Sequence, residues 1–201
     1  TDILNLQFSG NTVSTANIET VNGSAGDDII TTIIAGTGGG IESLDGGDGN
    51  DTLTLADGVN TVTVTNTETI NGGTGGDVVT STTNFTSTDT VDLGAGTDVL
   101  NLATGNDTLF VKDAETIADI GGTDTITLAD GGQITTVSGI ETIIGGTGND
   151  AVTAGTVFTT GDSVDLKAGD GDTLNLLSGT NTLSVTNVET VNGDASVGTQ
   201  I

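Results

Sequence analysis

Apolar residues along this chain alternate with polar ones in short runs and never settle into a 3.6-residue period. Thr52–Leu55 (TLTL) places Leu53 and Leu55 on one side, and Thr61–Thr65 (TVTVT) does the same with Val62 and Val64. A two-residue period is that of a strand with one buried face. Thr, Val, Ile and Leu fill these runs, and Gly, Asp and Asn fill the corners between them. Gly and β-branched residues interrupt every longer window, so no helix is predicted.

The runs recur behind an acidic anchor. Glu19, Glu42, Glu68, Glu115, Glu141 and Glu189 each open nearly the same local sentence, and Asp89 and Asp162 fill two gaps in the series. The eight anchors are spaced by 23, 26, 21, 26, 26, 21 and 27 residues. Such regularity marks a repeat protein. In the longer unit Glu42–Thr67 three strand-like pieces stand out: Glu42–Leu44, Thr52–Leu55 and Thr61–Thr65. Asp89–Ala114, Glu115–Ile140 and Asp162–Val188 read alike. The shorter units Glu19–Ile41, Glu68–Thr88 and Glu141–Gly161 lose a corner. In two of them Phe85 and Phe158, at the same offset from their anchors, are expected to fill the missing third corner from the core. The expected fold is all-β: a right-handed, three-sided parallel β-solenoid of about eight coils of about 24 residues, with a two-strand β-roll as the alternative. Residues 1–201 are expected to form one repeat domain that begins and ends within a repeat.

Charge sharpens the picture. Twenty-eight acids face only Lys112 and Lys167, for a formal charge of -26. That balance argues against nucleic acid and anionic lipid as partners. Cys and His are absent, which removes disulfides, zinc sites and thiol or imidazole catalysis. No run approaches 18 consecutive apolar residues, so no membrane insertion is expected. The acids sit at fixed positions, which mere solubility does not require. Nine residues after successive anchors stand Asp28, Asp51, Asp77, Asp98, Asp124 and Asp150; after Asp162 the acid comes one place later at Asp172, and after Glu189 it is lost at Gly198.

In a parallel solenoid these turns are expected to stack along one edge. Carboxylates about 5 Å apart repel by about 1 kcal/mol per neighbour even in bulk water. A cation between turns reverses that sign, and calcium suits irregular cages of six to eight oxygens. The expected metal ligands are therefore Asp28, Asp51, Asp77, Asp98, Asp124, Asp150 and Asp172, holding several Ca2+ ions. The other reading is an Asx turn in which each Asp caps its own backbone. Both readings stay open at Gly121–Asp124, which follows Ala118-Asp119-Ile120 in place of a Gly pair. Asp57 is expected to lie outside this edge. The anchor Glu residues are expected to accept hydrogen bonds from the preceding turn, with a place in the metal shell from the next coil as the alternative, and Asn11, Asn60, Asn106 and Asn181 to form an internal amide stack. Lys167, near Asp165, Asp170 and Asp172, stands either for a metal or as a surface charge.

The turn sequences carry a resemblance. GGDGNDTLT at Gly46–Thr54 returns as GGTGGDVVT from Gly72 and GGTGNDAVT from Gly145, with weaker copies at Gly23–Thr31 and Leu93–Asn101. This nonapeptide is similar to that of the RTX, or haemolysin-type calcium-binding repeat, family. The resemblance implies a calcium ion held by the sixth-position Asp and loop carbonyls of two adjacent turns. It also implies a non-catalytic protein of the bacterial surface or exterior, like the repeat regions of S-layers, adhesins and filaments. Expected partners are copies of itself, head to tail, or flanking repeats of a longer chain. The alternative is a calcium-dependent ice- or surface-binding adhesin module, suggested by outward Thr at Thr52, Thr54, Thr61, Thr63 and Thr65.

Overall fold

Residues 2–34 and 40–193 are described by the computed structural model, so the position of Gly198 lies outside the described residues. Among them 21 short strands and no helix are found. Inward-pointing aliphatic residues alternate with outward ones that are mostly polar, as at Thr61–Thr65, where Val62 and Val64 are buried. The strands form two parallel sheets of eleven and ten strands, and the chain alternates between them at every strand. Turns differ in length: Ile3 pairs with Thr20 across a short one, and Thr20 with Ser43 across a longer one.

The molecule is thus a two-sheet β-solenoid of about 20 residues per turn. Parallel strands and solenoid class match expectation; the longer, three-sided coil does not, and the two-strand roll is the form adopted. The three pieces read in the unit that starts at Glu42 are real strands, Ser43–Asp48, Thr52–Thr54 and Thr61–Thr65. In a two-sheet solenoid three strands make one and a half turns. The next anchor, Glu68, therefore opens a strand, Thr69–Thr74, in the opposite sheet from the strand that follows Glu42. A polar turn fits either edge equally well, because the two inner faces present the same alternation.

Two blocks of eight strands follow one another, Glu42–Ala114 and Glu115–Val188. Asn60 and Gln133, Glu68 and Glu141, and Phe85 and Phe158 are each separated by the same interval, one block. Eight strands are four full turns, so equivalent positions return to the same side. Between the sheets runs one dry aliphatic core that includes Leu44, Leu53, Ile70, Leu100, Ile117 and Ile143. Each such side chain contributes about 1.5–3 kcal/mol by leaving water. Phe85 and Phe158 are buried in this core, but with two sheets there is no third corner for them to fill.

Candidate metal centres

The chain passes from the eleven-stranded to the ten-stranded sheet along a first edge and returns along a second. At the base of most turns one polar side chain points inward and accepts the backbone N–H of its counterpart in the preceding turn. Along the first edge Asn11 donates to Asp28 (2.6 Å), Asp28 to Asp51 (2.7 Å) and Asp51 to Glu68 (2.7 Å). On the second, Asn60 donates to Asp77 (2.9 Å), Asp77 to Asp98 (2.6 Å) and Asp98 to Glu115 (2.7 Å). The first edge resumes with Phe85 to Asp107 (2.6 Å), Asp107 to Asp124 (2.8 Å) and Asp124 to Glu141 (2.8 Å). The second resumes with Gln133 to Asp150 (2.7 Å), Asp150 to Asp172 (2.7 Å) and Asp172 to Glu189 (2.8 Å).

Each stack therefore has four rungs: an opener without a carboxylate, two aspartates and a closing glutamate. All seven expected aspartates occupy aspartate rungs. They do not share one edge, however: Asp28, Asp51 and Asp124 stand on the first, and Asp77, Asp98, Asp150 and Asp172 on the second. The half-turn offset of the three-strand units is the cause. Asp107 is an eighth rung that the turn spacing misses, because Leu102-Ala103 replaces the Gly pair. Its signal is Gly105–Leu109 (GNDTL), identical to Gly49–Leu53.

The glutamates accept hydrogen bonds from the preceding turn, as expected of the anchors. Their length is what the geometry requires. Leu44 pairs with Val64, yet Asp51 lies seven residues beyond the first while Glu68 lies four beyond the second. A longer side chain spans from the tighter turn to the same N–H. A left-handed residue two places before the glutamate makes the tight turn: Asn66 (φ 46°), Asp113 (φ 51°), Gly139 (φ 72°) and Asn187 (φ 52°). Asn and Asp tolerate that conformation better than other side chains.

The Asn corners form no amide stack. Asn60 binds Asp77 Oδ1 and the carbonyls of Ala56 and Gly58, each at 2.9 Å. Asn11 binds Asp28, Asn181 accepts the Phe158 N–H, and Asn106 accepts the Thr123 N–H at an exposed tip. One such side chain per stack leaves no Asn beneath another. Asp57 also departs from expectation: it sits in the opening turn of the second stack, and its Oδ1 accepts the Thr74 N–H at 3.1 Å. Lys167 pairs with Asp165 at 2.8 Å with its side chain half exposed, a surface pair within one turn.

Hydrogen bonding uses only part of each carboxylate. Oδ2 of Asp51, Asp77, Asp98, Asp107, Asp124 and Asp172 is buried without a hydrogen-bond partner. A buried, unpaired anionic oxygen is costly. Burial pushes Asp51 up to about 6 against its hydrogen bond from Asp28, with the charges of Glu68, Asp28 and Asp27 adding to the rise. Burial likewise raises Asp77, Asp98, Asp107 and Asp150. At Asp28 burial is outweighed by hydrogen bonds from Asn11 and Ser24, and the carboxyl stays low.

Those free oxygens face backbone carbonyls of a neighbouring turn. Where a Cβ would stand on Gly46, the Asn66 carbonyl oxygen lies at 2.0 Å and Asp51 Oδ2 at 2.6 Å. On Gly169 the same point lies 2.5 Å from the Gly148 carbonyl oxygen and 2.5 and 2.7 Å from the Asp172 oxygens. Oxygens of two consecutive turns thus crowd the space beside these glycines. Among the described residues no three acidic side chains close round a common point. A cation here would have to draw on carboxylates and carbonyls together, which suits a hard ion with six to eight ligands.

Parallel two-sheet winding with an aspartate at the base of paired glycine turns defines a calcium-binding repeat solenoid. The RTX calcium-binding nonapeptide repeat profile matches in four copies, at residues 14–32, 36–65, 86–109 and 135–156, so the chain carries repeats of that family. Its repeats imply calcium binding. No curated protein and no solved structure matches the chain.

Proposed function

We propose that this chain is a calcium-stabilised extracellular structural protein of the bacterial surface-layer or filament type. Calcium holds its turns together, and copies or flanking repeats extend the rod. Buried, unpartnered aspartate oxygens recurring in all four stacks carry the reading. They leave the folded state short of positive charge at a formal -26, and ions that bind only the folded stacks supply it. Sites of about 0.1–1 mM affinity, usual for extracellular modules, stay empty where calcium is scarce and fill outside the cell. The acids keep to the repeated turns and the chain has no His, Cys or Arg, which favours a structural role.

Far-UV circular dichroism in excess chelator tests the calcium dependence, and an unchanged β spectrum and melting point overturn it. Electron microscopy in calcium tests assembly: rods that repeat at one molecular length support it, and a dispersed monomer at high concentration rejects it.

Rows of outward threonines favour a second reading, binding to ice or another ordered surface. On the ten-stranded sheet Thr52, Thr69 and Thr90 align across strands, as do Thr108, Thr125 and Thr142. Ile29 and Phe110, however, interrupt the first row, which limits it as a flat surface. Inhibition of ice recrystallisation in calcium tests this, and none at any concentration rejects it.

A further inference from the structure

Charge on this molecule is sorted by position. Turns carry most of the acids, and the strands of the eleven-stranded sheet carry almost none. Its eight strands from Thr61–Thr65 to Thr190–Asn192 contain no charged residue. Asp45 and Asp48, both in Ser43–Asp48, are the only acids in its strands. On the ten-stranded sheet the outward Asp92 and Asp165, one block apart, are each met by a lysine at 2.8 Å. Lys112 and Lys167 are the chain's only cationic side chains, and Lys112 reaches Asp113 as well. A formal charge of -26 is thereby concentrated on the two edges, and the broad faces are left close to neutral.

The eleven-stranded face is the more even of the two. Thr61, Val78, Val99, Thr116, Thr136 and Thr153 follow one another across its strands in unbroken register. A row of the other sheet is interrupted by Phe110 and Asp165. Polar side chains of the eleven-stranded face bond to one another: Asn101 donates to Thr80 and Asn175 to Thr153, each at 3.2 Å, and Asn192 to Asn175 at 2.8 Å. Polar groups already paired cost less to remove from water. Val78 and Val99 lie side by side in the row, and Ile134, 72 % exposed, lies beside Ala151. An uncharged, self-bonded face that exposes aliphatic residues is suited to being covered.

We infer that this face is covered by the same face of a second copy, so that rods pair side by side, sheet against sheet. Charge selects the occupant, because two copies repel through their acidic edges and approach with least like charge between them through this face. Spacing selects it again, because a second copy presents its rows at the same ~4.8 Å interval, so ridges of side chains can set between one another along the whole contact. About seven strand spacings, across strands of three to five residues, give roughly 350–550 Å² on each partner, short of the ~800 Å² of a standard interface. Two single chains therefore pair weakly, and rods that present the face repeatedly pair tightly. The inference adds a lateral contact to the assembly proposed above and does not depend on the end-to-end one.

Sedimentation equilibrium of the full chain in saturating calcium chloride, from about 10 μM to about 1 mM, tests it. Thr116→Glu and Thr136→Glu each place a charge in the row, and Thr127→Glu does so on the other sheet. All three positions are outward, and circular dichroism in calcium checks that each variant folds; if one face variant does not, the other decides. The mass of the unaltered chain and of Thr127→Glu should rise toward two chains, and further with added salt as edge repulsion is screened. Both face variants should lose at least about tenfold in association constant, and in electron micrographs should still form end-to-end rods, but single ones. A one-chain mass throughout overturns the inference, and inhibition of ice recrystallisation by such a chain assigns the face to ice. Face variants that associate like the unaltered chain overturn it by placing the contact at the rod ends. Association that salt weakens overturns it as well, since that is the mark of ion pairs.

Discussion

Replacing Asp51 by Asn should change stability in opposite directions with and without calcium. An Asn side-chain oxygen still accepts the Asp28 N–H, now 2.7 Å from Asp51 Oδ1. Its amide nitrogen takes the place of the partnerless Oδ2, on the side of Gly46 where the Asn66 carbonyl oxygen also lies. The aspartate's folded pKa of about 6, against 3.8 unperturbed, means that the ionised group opposes folding at pH 7.5. At 1.36 kcal/mol per pH unit the penalty is at most about 3 kcal/mol, and a neutral amide relieves about 1–3 kcal/mol of it in metal-free protein. In calcium the balance reverses. Occupying one site at a hundred times its Kd contributes about 2.7 kcal/mol, and loss of a charged ligand removes most of it. Urea denaturation followed by circular dichroism should therefore show Asp51→Asn more stable than the unaltered chain in chelator and less stable in saturating calcium. Shifts of the same sign in both conditions would refute the assignment of Asp51 Oδ2 to a cation.

Glu115→Ala should leave the Asp98 N–H without its 2.7 Å acceptor and cost about 1–3 kcal/mol with or without calcium, while Glu115→Gln should stay within about 0.5 kcal/mol by urea denaturation. Gly46→Ala would drive a methyl to 2.0 Å from the Asn66 carbonyl oxygen and 2.6 Å from Asp51 Oδ2, so thermal melts should show severe destabilisation and calorimetry a lost site; Gly121→Ala meets nothing within 4 Å and should melt like the unaltered chain. Asp51 and Asp124 have folded pKa values near 6, above the unfolded 3.8, so between about pH 4 and 6 the folded state binds the extra protons. Stability of the metal-free protein should then rise as pH falls through that window, by about 1.4 kcal/mol per unit for each proton taken up, while calcium binding weakens; denaturation midpoints at pH 7.5 and 5 check the sign.

Strands were legible in the sequence because alternation is a local property: Thr61–Thr65 declares its buried face without reference to any neighbour. The aspartate rungs were legible for a similar reason, since a tight glycine turn ending in Asp is a compact signal. Which edge each turn occupies was not. Gly46–Asp51 and Gly72–Asp77 read alike but lie on opposite sides, and only a count of intervening strands separates them. Anchor spacings of 26, 21 and 26 residues, followed by 26, 21 and 27, carry the four-turn block, but spacing does not say how many strands complete a turn. Gln133 at the place of Asn60, and Asp107 behind Leu102-Ala103, were hidden because their role is defined by a partner 17 residues further along. Asp57 illustrates the converse: its corner looks ordinary until Thr74 is set above it.

Alternation of the aspartate pairs between the two edges has a mechanical consequence. A cation that draws two turns together shortens the side on which it sits and bends the rod toward it. If every pair lay on one side, filling the sites would curl the molecule into an arc. Here Asp28 and Asp51 stand on one flank, Asp77 and Asp98 on the other, then Asp107 and Asp124, then Asp150 and Asp172, so cations held by these pairs would pull on alternate sides. Successive bending moments oppose each other and cancel over each four-turn block. Calcium can therefore stiffen such a rod along its length while leaving it straight.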